Sequence, residues 1–445
     1  MEASEAVEAA PADAVDADTV AEAAAGNEAA FASEVRQNLR RNYVAHLFHG
    51  LFGQTGFRLV TAPTFIPQYV HTISGGSAIW VGVARSAQSL GQCLSPLFSA
   101  TVIEHRRKVL PVALRIGSLV RLQVLGMALA GFFLGSGQNL AAVCVFLGLF
   151  GFFMGMQGVT FNFLMAKVIP VEVRGRLSGL RNALAGITSS SVGYLSGAYF
   201  VQHDTLGNGY ATTFLVAFFL TEIGLLMMWF IREPESPGVR ERTGVTSRLR
   251  DLPPLVRADP NFGVYLSACV LGSLGRIAMP YYVLYAGERL HIGGSELGVL
   301  TAAFLLSSTV LNLFWGSVAD RMGFRAVFLG SLAVWTAGTL ALIKTETFLG
   351  LVGVFAAIGT GSGGFVMGQQ NLVLEFGKRE DLPLRIGAAN STTEAMGVIA
   401  PLAGGVIATR FSFAAVFACA IAFKLAAAAL VQLRLQEPRE SALQR

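Results

Sequence analysis

Twelve stretches of this chain are apolar over the length a helix needs to cross a bilayer, and that property decides most of what it can become. A helix rises 1.5 Å per residue, so about 20 residues span a hydrocarbon core of ~30 Å. Divided at its polar and Gly- or Pro-containing breaks, the sequence runs apolar at roughly 43–70, 78–103, 109–134, 140–168, 177–202, 210–231, 262–287, 294–318, 325–343, 348–374, 386–408 and 411–433. In lipid each backbone N–H and C=O must be satisfied internally. The expected fold class is therefore an all-α polytopic membrane protein with 12 transmembrane helices. A hydrophobic fraction of 53%, with only 14% charged residues over 445, leaves too few charges to coat soluble domains. Most soluble enzyme, nucleic-acid-binding and disulfide-scaffold readings are excluded. The four cysteines, Cys93, Cys144, Cys269 and Cys419, fall inside apolar segments without pairing or metal-ligand spacing and read as small buried residues.

The net charge of +5 divides unevenly. Residues 1–34 hold nine acids and no base in an alanine-rich background, which reads as an acidic, disordered cytoplasmic tail. Counting Lys and Arg by loop sets the topology. With the N-terminus cytoplasmic, 23 bases fall on the inner side and three, Arg289, Lys344 and Arg410, on the outer side. Both termini are then expected inside a plasma or bacterial inner membrane. The expected organisation is the tail 1–34, a six-helix bundle 35–231, a Pro/Arg-rich central loop 232–261, a second bundle 262–433 and a cytoplasmic tail 434–445.

The two bundles resemble each other. Asn42, Gly53 and Gly56 recur as Asn261, Gly272 and Gly275; Gly155 and Asn162 as Gly364 and Asn371; Gly179, Asn182 and Gly197 as Gly387, Asn390 and Gly405. Ordered recurrence of this kind supports duplication about a pseudo-two-fold axis.

Between the eighth and ninth segments stands Gly316-Ser-Val-Ala-Asp320-Arg321-Met-Gly323-Phe-Arg325, with a degenerate copy around Glu104 after the second. The longer form resembles the G-x-x-x-D-R-x-G-x-[RK] loop of the major facilitator superfamily, over about residues 42–434. The resemblance implies two pseudo-symmetric six-helix bundles, alternating-access solute transport rather than an enzyme, and a substrate site between the halves at mid-membrane. Gly316, Asp320, Arg321, Gly323, Arg325 and Glu104 would then be gate or conformational residues, with Gly316 allowing close helix contact and Asp320 capping a neighbouring helix end.

Seven bases lie within the spans. Arg115 and Arg181 are near inner ends and can snorkel. A basic residue at mid-membrane costs about 2.5–3.5 kcal/mol even on the lenient insertion scale, so Arg58, Arg85, Arg121, Arg276 and Lys424 need reasons. Arg58 (in Gly53-Gln-Thr-Gly56-Phe-Arg58, before Pro63) and Arg276 (in Gly272-Ser-Leu-Gly275-Arg276, before Pro280) lie at nearly matching depths in the first and seventh segments. A one-residue offset turns one relative to the other by about 100° on an ideal helix. Two guanidinium groups facing one cavity would clamp a phosphate or carboxylate. The pair looks like the arginines of the organophosphate:phosphate antiporters of this superfamily. Gln54, Thr61, Asn162 and Asn371 are further substrate-contact candidates. Glu394 and Glu222 are candidates for pairing with the arginines or for proton coupling. Arg85 and Arg121 could extend the positive field or bind lipid headgroups, and Lys424 pairs internally. His46 and His49 lack a third convergent ligand, so no metal site is expected; no Walker loop or nucleophile elbow is present, and no cofactor.

The leading expectation is a secondary active transporter moving a small anionic solute, an organic phosphate or carboxylate, by rocker-switch alternation, with a proton or counter-solute. Two alternatives stand beside it: proton-coupled efflux of amphipathic compounds with Glu394 as the titrating group, and a transporter-like sensor or assembly factor whose acidic tail binds a protein partner.

Overall fold

In a computed structural model, which describes residues 17–103, 106–236, 252–376 and 381–436, every regular element of the described residues is helical. The alanine-rich stretch expected to be disordered is instead helical over its second part, as α1 (Ala17–Gln37). Alanine has the highest helix propensity, and Arg36 in the last turn complements the helix dipole. Residues 1–16 lie outside the described residues.

The first span is broken in two, α2 (Leu39–Thr61) and α3 (Phe65–Ile73). Pro63, between them, has no N–H to continue the ladder. Then follow α4 (Ala78–Ile103), α5 (Leu110–Phe133), α6 (Ser136–Val168), α7 (Val171–Leu195), which runs on as a π-helical turn over Ser196–Val201, and α8 (Gly209–Met228). After the short α9 (Leu252–Ala258), the second half repeats the plan. Its first span is α10 (Pro260–Leu274), a 3₁₀ stretch Gly275–Tyr281 containing Pro280, and α11 (Tyr282–Leu290). The long α12 (Gly294–Lys344) is two spans divided at Gly323, whose φ of 82° only glycine adopts without strain. The chain ends with α13 (Phe348–Leu372), α14 (Leu382–Arg410) and α15 (Phe413–Arg434).

By length and hydropathy, eight of these helical stretches can each cross a membrane, α12 being one of them. With α12 counted as two, the remaining three spans of the twelve are α2, α4 and α7, which contain Arg58, Arg85 and Arg181. The spans that fail a hydropathy test are thus ones that turn charge inward.

The repeat noticed in sequence is also a repeat of contacts. The Asn42 side chain donates to the Arg232 carbonyl (2.9 Å) and accepts from its N–H (2.8 Å). Asn261 does the same to Gln436, at 3.1 and 3.0 Å. Each half therefore ties its first span to the chain leaving its sixth. A Cβ at Gly56 would stand 2.5 Å from the Ala217 carbonyl of α8, and one at Gly275 would stand 2.7 Å from Lys424 Cγ of α15, so each glycine lets the first span lie against the sixth.

We call the face that α1 leads into the tail face. On the opposite, far face the halves are closed against each other. The Gly197 backbone lies against Gly298, the Ser295 N–H donates to Gln202 (3.0 Å) and Thr301 to Thr64 (2.8 Å), and a Cβ on Gly82 of α4 would stand 2.5 Å from the Pro401 carbonyl of α14. Toward the tail face, Asn162, Asn182, Asn312 and Asn390 are exposed within their helices. Amides in that position face an opening between the halves rather than lipid.

A Cβ on Gly298 would come within 2.6 Å of the Tyr194 carbonyl. Gly298→Leu should therefore prevent far-face closure and reduce solute counterflow to background while leaving the chain inserted. Counterflow at the wild-type rate would show that this contact does not gate the protein.

Candidate functional site

A cavity of about 450 Å³ lies between the halves, and its lining includes both Arg58 and Arg276. Arg58 stands one turn before the end of α2. Its Nη1 donates across the halves to Thr309 Oγ1 of α12 (2.8 Å), and its Nη2 to Gln54 Oε1 on its own helix (3.3 Å). Arg276 lies in the 3₁₀ break and is half-buried; among the described residues it makes no hydrogen bond or ion pair. The register offset between the two does not keep them from one lining. Thr61, Ser308 and Asn312 add polar groups, whereas Met279, Phe304, Trp335 and Phe365 form an apolar, aromatic wall. Glu394, on α14 and half-buried, interacts electrostatically with Arg276 without reaching an ion-pair contact.

The other residues singled out in sequence are distributed differently. Gln54 and Asn162 line a second cavity of about 310 Å³ within the first half. Asn371 lies in neither cavity; its amide donates to the Met367 carbonyl one turn back (2.8 Å). A half-exposed amide inside a helix is satisfied most cheaply by its own backbone. Glu222 is half-buried on α8 and interacts with Arg121 rather than with the central arginines. Among the described residues no three His, Cys, Asp or Glu side chains converge as a metal site; His49 Nδ1 lies 2.9 Å from the Gly224 carbonyl, and both His46 ring nitrogens are buried without a partner.

Arg85 and Arg121 have internal roles that the sequence did not reveal, and Lys424 pairs internally as expected. Arg85 Nη2 donates to the Thr61 and Ala62 carbonyls (3.0 and 2.9 Å), and Nη1 to Gln88 (2.7 Å). It caps the carbonyls that the break at Pro63 leaves without helix partners. Arg121 is fully buried, donates to the Thr221 and Gly117 carbonyls (2.6 and 2.7 Å) and lies over the Phe57 ring. Arg121 is closed off from lipid headgroups, whereas Arg85 is half-buried and interacts electrostatically with Arg276, extending the positive field. Lys424 donates to Tyr282 (3.2 Å) and Thr339 (3.0 Å) and lies over Trp335, so its internal partners are hydroxyls and a ring instead of a carboxylate. Arg181 does not snorkel: it is 6% exposed, with its guanidinium 4.5 Å from the Phe161 ring centroid. Arg115 is exposed, as its position near a helix end suggests.

In the loop motif, Gly323 makes the turn, and Arg325 Nη2 donates to the Val431 and Gln432 carbonyls at the end of α15 (3.4 and 3.1 Å). The end-capping expected of Asp320 is carried by Arg325. Asp320 and Arg321 are exposed and form no ion pair with another described residue. A Cβ on Gly316 would meet only Met367 Cε, at 3.9 Å, so no close helix contact depends on this glycine. Glu104 lies outside the described residues.

Thr309, Asn312 and Trp335 are among the lining residues that sequence reading passed over. Asn312, an amide in an otherwise apolar run, was the available signal; Thr309 and Trp335 gave none, because a threonine or tryptophan in a span is as often packed against a neighbouring helix.

The family description "Major Facilitator Superfamily" matches residues 44–281 and 264–445. The chain is 26% identical over 166 residues to Multidrug resistance protein D of Escherichia coli (strain K12), a match spanning 36% of this chain and 42% of that protein. It is 25% identical over 406 residues to Multidrug resistance protein MdtG of Enterobacter lignolyticus (strain SCF1), spanning 87% of this chain and 90% of that one. Its fold is similar to the crystal structure of a D-xylose-proton symporter, with a TM-score of 0.70 at 11% identity over 90% of this chain and 98% of that one. Twelve membrane-crossing helices in two repeated halves around one central cavity, together with a family match over nearly the whole body, identify a multi-pass integral membrane protein that belongs to the major facilitator superfamily.

Proposed function

We propose that this secondary transporter moves a small organic anion, a phosphate or carboxylate with an apolar part, between the two sides of the membrane by rocker-switch alternation. The observation that carries the reading is that two guanidinium groups, one from each half, line one cavity with no carboxylate in ion-pair contact with either among the described residues. Charges placed there at a cost of several kcal/mol need a counter-charge, and a solute that supplies it binds both halves at once. The aromatic wall of Phe304, Trp335 and Phe365 would take the apolar part of the same solute. Gln54 and Thr61 would orient the anionic group, and movement about Gly323 would accompany the switch. The bias of 23 bases to three supports a cytoplasmic tail face, with both termini on that side. A screen of the purified protein for thermal stabilisation tests the solute class: carboxylates and phosphates should raise the melting temperature, and neutral sugars and lipophilic cations should not. Stabilisation by cations alone would overturn it.

The aromatic wall also favours proton-coupled efflux of amphipathic compounds, the reading that fits the names of the multidrug relatives. Glu394, beside Arg276, is then the coupling group. Glu394→Gln should abolish pH-driven accumulation in vesicles while sparing solute exchange at equal pH. Retention of pH-driven accumulation would remove Glu394 from this role.

A further inference from the structure

The second cavity, about 310 Å³, lies inside the first half between α2, α6 and α7. Arg181 lines it about 15 Å along α7 from that helix's tail-face end, whereas Arg58 is nearly twice as far along α2. Arg181 is 6% exposed and its Nε has no hydrogen-bond partner. Among the described residues its partners are soft: the Phe161 ring at 4.5 Å and Met165 Sδ at 3.7 Å. Among the described residues it has no ion pair, and no acid lines the cavity. The other polar groups of the wall are the His49 imidazole, the amides of Gln54, Gln157, Asn162 and Asn182, and the Ser178 hydroxyl. Space for the arginine is built into the fold: its Nε packs over Gly50, where a Cβ would stand 2.0 Å from it.

A buried guanidinium resting against an aromatic ring, with no carboxylate partner and polar neighbours around it, is a preorganised anion receptor. Gln54 connects it to the central site, because the same side chain lines this cavity and accepts from Arg58. We propose that the cavity is a second anion site, a station at which the carboxylate or phosphate of the transported solute rests on Arg181 between the tail face and the Arg58/Arg276 clamp. The inference rests on the anionic solute class proposed above.

The test is equilibrium binding of two probes, inorganic phosphate and benzoate, to the full-length purified protein in lipid-free detergent. Wild type should bind two probe molecules per chain for at least one of them. Arg181→Gln should remove one site and leave the other, and the double variant Arg58→Ala/Arg276→Ala should do the converse. Asn182→Asp, which places a carboxylate in the wall without touching the arginine, should weaken the same site at least tenfold, and decides the matter if Arg181→Gln does not fold. A single site, lost in the double variant and unchanged by Asn182→Asp and Arg181→Gln, overturns the station and leaves the solute class standing. No site in wild type for either probe overturns both. If phosphatidylglycerol micelles displace the Arg181-dependent probe while the transported solute does not, the anion held there is a lipid headgroup and the station is overturned.

Discussion

Replacing Arg58 or Arg276 by alanine should lower anion affinity about 10- to 100-fold, and the double replacement should leave no measurable counterflow. A charge-assisted hydrogen bond contributes about 1.5–3 kcal/mol, and each 1.4 kcal/mol is about a factor of ten. The two arginines are expected to differ in a second respect. Arg58 is already held by Thr309 and Gln54, so its guanidinium is oriented before solute arrives, and lysine there should lose the fork geometry and most of the binding. Arg276 makes no such bonds, so lysine there should be tolerated better. Counterflow in reconstituted vesicles reads all five variants. Wild-type rates in both alanine variants would end the clamp model of the cavity.

The largest stability loss is expected outside the cavity, at Glu233. Its carboxylate accepts from the Val109 and Leu110 N–H groups, both at 2.7 Å, and from Lys167 Nζ at 2.8 Å. The side chains of Glu233 and Lys167 are only 3% and 5% exposed. The residue leaving α8 thus caps the start of α5 and pairs with the end of α6. Removing one member of a buried pair costs about 3–5 kcal/mol, because the other charge remains desolvated. Lys167→Ala and Glu233→Ala should each lower the thermal midpoint in detergent markedly, and Lys167→Met/Glu233→Met less than the sum of the two. The nearby Lys108–Glu235 pair, 3.1 Å apart, is exposed on both sides and serves as the control: breaking it should change little. Equal midpoints for the Glu233 and Glu235 variants would refute this distinction.

The span count and the duplication were legible because both are written along the chain: hydropathy gives the spans, and ordered Asn and Gly positions give the repeat. The convergence of Arg58 and Arg276 followed from matching depth alone. What sequence could not show was which deep base has which partner. Arg85, Arg121 and Lys424 are held mainly by backbone carbonyls, hydroxyls and rings, and carbonyls are present at every position, so they leave no mark in composition. Arg181 was misplaced for a related reason. Its distance from the helix end permits snorkelling, and only the glycine opposite it and the Phe161 face hold it inward.

The paired amide clamps at Asn42 and Asn261 mean that each six-helix half begins and ends at one point on the same face, joined by bonds that need nothing from the other half. Such a unit is a closed ring in the topological sense. Its termini are neighbours, so a single-copy ancestor of 200 or so residues could have closed on itself and met an identical copy before any gene fusion. Tandem fusion then had only to bridge two points already on the same side of the membrane.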